Sequence, residues 1–170
     1  NAACQICKPI WEMDVREWDL IYNCNVKSIF LFAKYGLELL KQSKGNIINI
    51  GSVHSVATSN EIAAYASSKA AIAGLSKNLA IELGCFGIRV NCISPGAVDT
   101  EMLRAGLMRG HAGNGTEDQL VENLGNSHLL KRVGQPYEIA QFVFSVCSNN
   151  FINGANLLID GGACIKLSTE

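Results

Sequence analysis

The chain has 170 residues, 48% of them apolar and 17% charged, with a formal net charge of −1. That is the make-up of a single globular domain and excludes a disordered or fibrous chain. It also excludes the basic footprint of a nucleic-acid binder, and the most apolar stretches, such as Ser28 to Ala33, fall far short of the roughly 20 residues a membrane helix needs.

The opening lacks a charged-then-apolar pattern, so the expected compartment is the cytoplasm. Seven cysteines in apolar surroundings are expected to be reduced core residues. Cys4 and Cys7 form a C-x-x-C, but no second pair or His pair completes a zinc site.

In chain order, Val15 to Gln42 reads as one long helix. Asp14 and Glu17 have capping-box spacing, Trp18, Ile21, Tyr22, Ile29, Phe32 and Leu39 recur at helical intervals, and Gly45 is the expected stop. Asn46 to Ile50 reads as a short buried strand. A second helix, from about Ala63 to Leu83, carries Ile72, Leu75, Leu79 and Leu83 along one stripe. Ile88 to Ile93 is a second strand, expected to break at Ser94-Pro-Gly96. Short helical patterns follow at Glu101 to Met108 and Glu117 to Leu124, inside a polar stretch that looks mobile. Pro136 starts a helix through Ser148, and Asn156 to Ile159 is a third strand. Alternating helices and strands imply parallel strands with crossover helices, an α/β layered fold.

Tyr65 and Lys69 stand i and i+4 on the second helix, so their side chains share a face about 6 Å apart. At that distance an ammonium favours a phenolate by about 3 kcal/mol, roughly two pKa units, at an effective dielectric near 20. Tyr65 is therefore expected to exchange protons near neutral pH. Ser52 sits where the first strand runs out, and open α/β sheets bind ligands at that end of their strands.

These residues resemble the catalytic Ser, Tyr and Lys of the short-chain dehydrogenase/reductase family. The likeness runs through Asn46-Ile-Ile-Asn-Ile-Gly-Ser52, Tyr65-Ala-Ser-Ser-Lys69, Ile88-Arg-Val-Asn91 and Ser94-Pro-Gly-Ala-Val-Asp-Thr100. It continues in Gly134-Gln-Pro-Tyr-Glu-Ile-Ala140 and Asp160-Gly-Gly162. The resemblance implies a Rossmann-type doubly wound parallel sheet in three αβα layers, of which residues 1–170 would be the C-terminal portion, with 101–135 as a substrate-binding lid. It implies NAD or NADP as cofactor, a small alcohol or carbonyl compound as substrate, and a homotetramer or homodimer with the 63–83 helix and the last strand at subunit contacts.

The same resemblance makes Asn25 a fourth catalytic residue that perturbs the long helix and holds a water relaying protons through Lys69. It makes Pro95, Gly96, Val98 and Thr100 the turn around the nicotinamide, and Asn1 the tail of a cofactor-binding motif in which Ala3 replaces the usual Gly. Lys69 would also hydrogen-bond the nicotinamide ribose. Arg104, Arg109, His111, Asn114 and Glu117 are expected to offer polar contacts over the site. The Gly-rich turn of a dinucleotide-binding fold is not found in the sequence, so roughly 80 residues are expected to precede Asn1 at about 30 per βαβ repeat. A hydrolase built on Ser52 or Ser55, with His54 or His128 and Asp99, lacks a G-x-S-x-G elbow. A non-catalytic protein on the same fold is the other alternative.

Overall fold

A computed structural model describes residues 1–109 and 113–165. Helix α1 (Val15–Tyr22) opens with the expected capping box: the Asp14 carboxylate accepts from Arg16 N at 2.7 Å, and Glu17 accepts from Asp14 N at 3.0 Å. The chain stays helical to Ser43, but a π turn at Asn23–Lys27 separates α1 from α2 (Ser28–Ser43). The helix stops one residue before the expected glycine. Lys44 takes the left-handed position (φ 48°), which frees the Gly45 carbonyl to accept from Arg89 N at 3.2 Å and start the sheet.

Strands β1 (Asn46–Ile50), β2 (Arg89–Pro95) and β3 (Asn156–Ile159) pair in parallel in the order β1-β2-β3. Ile47 lies opposite Val90, and Ile93 opposite Leu157. The expected break at Ser94-Pro-Gly96 comes later than the residue types imply. Pro95 still pairs with Ile159 as the last residue of β2, where its missing donor costs little, and Gly96 N resumes the ladder by donating to Ile159 O at 3.0 Å. Gly96 is there for closeness: a Cβ would lie 2.8 Å from the Asp160 backbone.

Alternation along the strands sends side chains to opposite faces. On one face, Ile47 and Val90 pack with Leu37 and Leu40 of α2 and with Ala80 and Leu83 of α3 (Ala63–Gly84), while Asn49 donates to Ser76 of α3 at 2.8 Å. The buried stripe of α3 shares Ile72 and Leu83 with the stripe that periodicity picks out, but not Leu75 and Leu79. It runs through Tyr65, Ser68, Lys69, Ile72, Ser76 and Ala80, with Leu75 and Leu79 half-buried, because small residues let the helix sit close on the strands.

The opposite face carries α6 (Pro136–Ser148), so helices cover both sides of the sheet. Arg89 donates to the carbonyls of Cys147 (2.7 Å), Ile152 (3.2 Å) and Val146 (3.5 Å). Asn91 donates to Ile152 O at 2.9 Å and accepts from Ala155 N at 3.0 Å. The Arg-Val-Asn stretch thus fastens the end of α6 and the approach to β3 onto the central strand.

Helix α6 begins at Pro136, where a missing N–H is harmless, and Glu138 caps it by accepting from Gln135 N at 2.8 Å. Arg132 grips the same carboxylate through two 2.7 Å bonds, and this hydrogen bonding lowers the Glu138 pKa to about 2. Because the folded pKa lies below the unfolded one, the stability Glu138 adds is present above the ordinary carboxylate range and is lost as pH falls through about 2. The melting-temperature gap between the protein and Glu138→Gln should therefore narrow as pH falls from neutrality toward that value. A gap independent of pH would refute the assignment.

No helix among the described residues is long and apolar enough to cross a membrane, and no group of three or more metal-ligating side chains is found among them. The cysteines are unpaired. Only Cys92 is a core residue; Cys85 is exposed, and the others are half-buried, because they lie on loops and helix flanks more than on strands.

Candidate active site

Because the strands are parallel, Ile50, Pro95 and Ile159 all end at one edge of the sheet. Gly51 leads out of β1 with its N–H on Ile93 O at 2.7 Å, and it passes so near β2 that a Cβ would fall 2.7 Å from Ser94 Oγ. This brings the buried Ser52 to the edge. Ser52 caps the short 3-10 turn Val53–Ser55, its Oγ accepting from His54 N at 3.2 Å.

Tyr65 and Lys69 reach the same place from the first turns of α3, and both are buried, at 9% and 4% exposed. Lys69 Nζ stands 5.6 Å from the Tyr65 ring centroid and donates to Ile50 O at 2.8 Å. The shared face follows from the i, i+4 spacing, but the expected drop in the Tyr65 pKa does not. Burial pushes the phenol up, a side-chain hydrogen bond with Ser52 pulling the other way. Burial likewise pushes the Lys69 ammonium down. Both charged forms lose water here, and the lysine points its charge at a main-chain carbonyl.

Asn25 lies inside the π turn, 3% exposed. Its carboxamide accepts from Cys4 N at 2.8 Å and donates to Cys4 O at 3.0 Å and Ser68 Oγ at 2.9 Å. Ser68 in turn donates to Tyr65 O at 2.7 Å. Asn25 thereby ties the 1–9 segment to the helix that carries Tyr65 and Lys69, and the π turn is the local distortion expected of it. Sequence reasoning passed over Ser68, although its place three residues after Tyr65 puts it on the buried face. Ser68→Ala leaves one Asn25 amide hydrogen unpaired and should cost about 1–2 kcal/mol in a denaturant titration. Unchanged stability would remove the tie.

The turn after β2 is zipped to the residues before α6: Val98 bridges Gly134, Asp99 N donates to Gly134 O at 2.9 Å, and Gly134 N to Ala97 O at 2.8 Å. Pro95 and Gly96 are half-buried beside Ser52's strand end, whereas the Thr100 hydroxyl donates to Val98 O and caps α4 (Glu101–Leu107) by accepting from Leu103 N, both at 3.3 Å. Asn1 is exposed.

Three of the expected polar contacts, Arg104, Arg109 and Glu117, are already engaged. Arg104 binds Asp99 through two bonds of 2.7 and 3.0 Å and Asp118 at 2.7 Å, with Glu117 at 3.7 Å, so it joins the turn and α4 to α5 (Glu117–Ser127). Arg109 turns back onto Gly106 O at 2.8 Å. Asn114 is exposed, and His111 lies outside the described residues. Asp99 being paired to Arg104, and His128 Nδ1 lying 2.9 Å from Leu124 O, the hydrolase grouping has no assembled counterpart. Two cavities flank this region, of about 540 Å³ beside Asp99, Asp118 and Tyr137 and about 100 Å³ beside Ala97, Ile159 and Asp160; neither is lined by Ser52, Tyr65 or Lys69.

The family model described as enoyl-(acyl carrier protein) reductase matches residues 1–164. The chain belongs to the short-chain dehydrogenase/reductase family. Among members of known name, cyclopentanol dehydrogenase of Comamonas sp. is 33% identical over 165 residues, covering 95% of this chain and 63% of that protein. Among solved structures of the family, ligand-free aldohexose dehydrogenase of Thermoplasma acidophilum superposes with a TM-score of 0.92 at 28% identity, covering 99% of this chain and 67% of that one. The gluconate 5-dehydrogenase of Burkholderia cenocepacia, solved with NADP and tartrate, gives 0.86 at 26% identity, over 98% of this chain and 64% of that one. The chain thus spans a little under two thirds of the curated relative's length, and its parallel sheet with flanking helices is that of a family dehydrogenase.

Proposed function

We propose that this chain carries the catalytic residues of an NAD(P)-dependent oxidoreductase that interconverts a secondary alcohol and a ketone. The observation that carries the reading is the convergence of Ser52, Tyr65 and Lys69, all buried, at the carboxyl edge of the sheet. A nicotinamide dinucleotide, NAD or NADP, supplies or accepts the hydride when bound. The donor set suits it: an ammonium has three N–H groups and Lys69 gives one to Ile50 O, which leaves donors for the paired hydroxyls of a ribose. Pro95, Gly96 and Val98 lie at the strand end where the nicotinamide would rest, and the Asn1 segment, held through Asn25, completes the assignment.

In this reading Ser52 Oγ fixes the substrate oxygen, and Tyr65 gives its proton to that oxygen during reduction or takes it during oxidation. Residues 101–135 form the lid over the substrate, Arg104 holding its two helices to the end of β2. The test is reduced-cofactor binding by the intact protein, followed by absorbance of the reduced nicotinamide with a panel of ketones and secondary alcohols. Binding with turnover supports the reading; binding without turnover on any compound replaces it with a dinucleotide-sensing or scaffold role.

The protein is also proposed to be a homodimer or homotetramer. Phe32, Tyr35 and Leu39 leave 71–80% of their surface exposed along one side of α2, and α3 leaves Ile81 78% exposed beyond Gly74, whose neighbourhood is open. Sedimentation should give a multiple of the monomer mass, reduced by Phe32→Glu with Tyr35→Glu. A monomer before substitution would end the proposal.

A further inference from the structure

The sequence contains the dipeptide Asn-Gly twice, at Asn114-Gly115 and Asn153-Gly154, and both asparagines are exposed. The fold treats them differently. Asn153 Oδ1 accepts from Val90 N at 2.9 Å and Gly154 N donates to Val90 O at 2.8 Å, so the central strand holds both the carboxamide and the peptide nitrogen that follows it. Asn114 lies between α4 and α5 with a glycine on each side, Gly113 (φ 98°) in open space and Gly115 (φ 156°). Among the described residues no hydrogen bond holds the Asn114 carboxamide or the Gly115 N–H.

We propose that Asn114 is a self-modifying site, at which the chain deamidates to aspartate and isoaspartate, while β2 keeps Asn153 intact. Gly115 N attacks Asn114 Cγ. The new N–C bond forms as the N–H proton passes to solvent hydroxide, the Cγ–Nδ2 bond breaks, and the amide nitrogen leaves as ammonia. The five-membered imide then adds water at either carbonyl and opens to aspartate or isoaspartate. Asparagine and water go in, acid and ammonia come out, and nothing is oxidised or reduced. Glycine permits the ring closure, because with no Cβ residue 115 neither shields its nitrogen nor resists the rotation. At Asn153 the same attack requires both Val90 bonds to break first, which slows it about tenfold or more. The chemistry needs neither cofactor nor substrate, so it stands apart from the oxidoreductase reading above.

The product falls at the start of α5. Isoaspartate routes the main chain through the former side chain and lengthens it just before Thr116, whose hydroxyl accepts from Gln119 N at 3.3 Å and whose N–H donates to Gln119 Oε1 at 2.9 Å. Space there is short, since a Cβ on Gly115 would lie 3.0 Å from Gln119 Oε1. The added carboxylate stands ahead of Glu117 and Asp118, the acidic first turn that Arg104 holds.

The whole protein is held in mildly alkaline buffer at body temperature, sampled over days and digested. The peptides carrying residues 114 and 153 are followed by mass spectrometry, with an isoaspartate-specific methyltransferase as the label. Acid should accumulate at 114 about tenfold or more faster than at 153, as isoaspartate together with aspartate, and faster still as pH rises. The same incubation in concentrated denaturant should bring 153 close to the rate of 114, because the fold alone separates them. Asn114→Gln should leave its peptide without label. Equal rates at the two positions in the folded protein, an unreacted Asn114, acid at 114 without isoaspartate, or a gap that survives denaturant overturns the proposal.

Discussion

Replacing Tyr65 by Phe should lower kcat by about a thousandfold or more, within the range that positioned general acid–base groups supply. The substitution removes one oxygen and keeps the ring, so the edge contact with His54 survives, and the Lys69 bond to Ile50 O does not depend on it. Cofactor affinity should therefore change by no more than about threefold, far less than the effect on the chemical step. Residual turnover within tenfold of the parent would mean that another group moves the proton. The pH dependence has a definite sign. Burial holds the phenol protonated past its usual range, so reduction, which needs the acid form, should lose rate as pH climbs into the alkaline region, and oxidation, which needs the phenolate, should gain it.

The second large effect is on stability. Asn91 is fully buried, and its carboxamide pairs with Ile152 O and Ala155 N, more than 60 residues away along the chain. Asn91→Leu keeps the branched shape but leaves the part-buried Ala155 N–H without its partner and Ile152 O with Arg89 alone, at about 1–3 kcal/mol. The expected loss of about 1–3 kcal/mol is a sizeable share of the roughly 5–15 kcal/mol that holds a domain folded. Denaturant midpoints should show it, whereas Asn78→Leu on the exposed side of α3 should shift the midpoint little. Equal effects from the two would mean that Asn91 does not fasten the approach to β3.

How far the sequence was legible depended on whether local chemistry or packing decided the outcome. The first strand, the third strand and the Pro136 helix fall on the residues that apolar runs, turn residues and the Pro–Glu start mark out. Lys44 in place of Gly45, the π turn at Asn25 and the prolonged β2 are set by partners distant in sequence, which no local pattern records. For the site, spacing alone set Tyr65 and Lys69 on one face and put Ser52 at a strand end. It could not foresee the pKa directions, because desolvation depends on how deeply the folded chain covers each group. His54 entered as a candidate hydrolase base because its residue type was visible while its neighbour was not; only the fold sets it against Tyr65.

The way Asn25 holds Cys4 has a bearing on how this protein can drift. The carboxamide grips the main chain of residue 4 and makes no demand on its side chain, so the cysteine is expendable there while the peptide N–H is not. The hydrogen bonding at position 4 thus forbids proline and leaves the choice of side chain to packing, and that restriction is written at Asn25, 21 residues away.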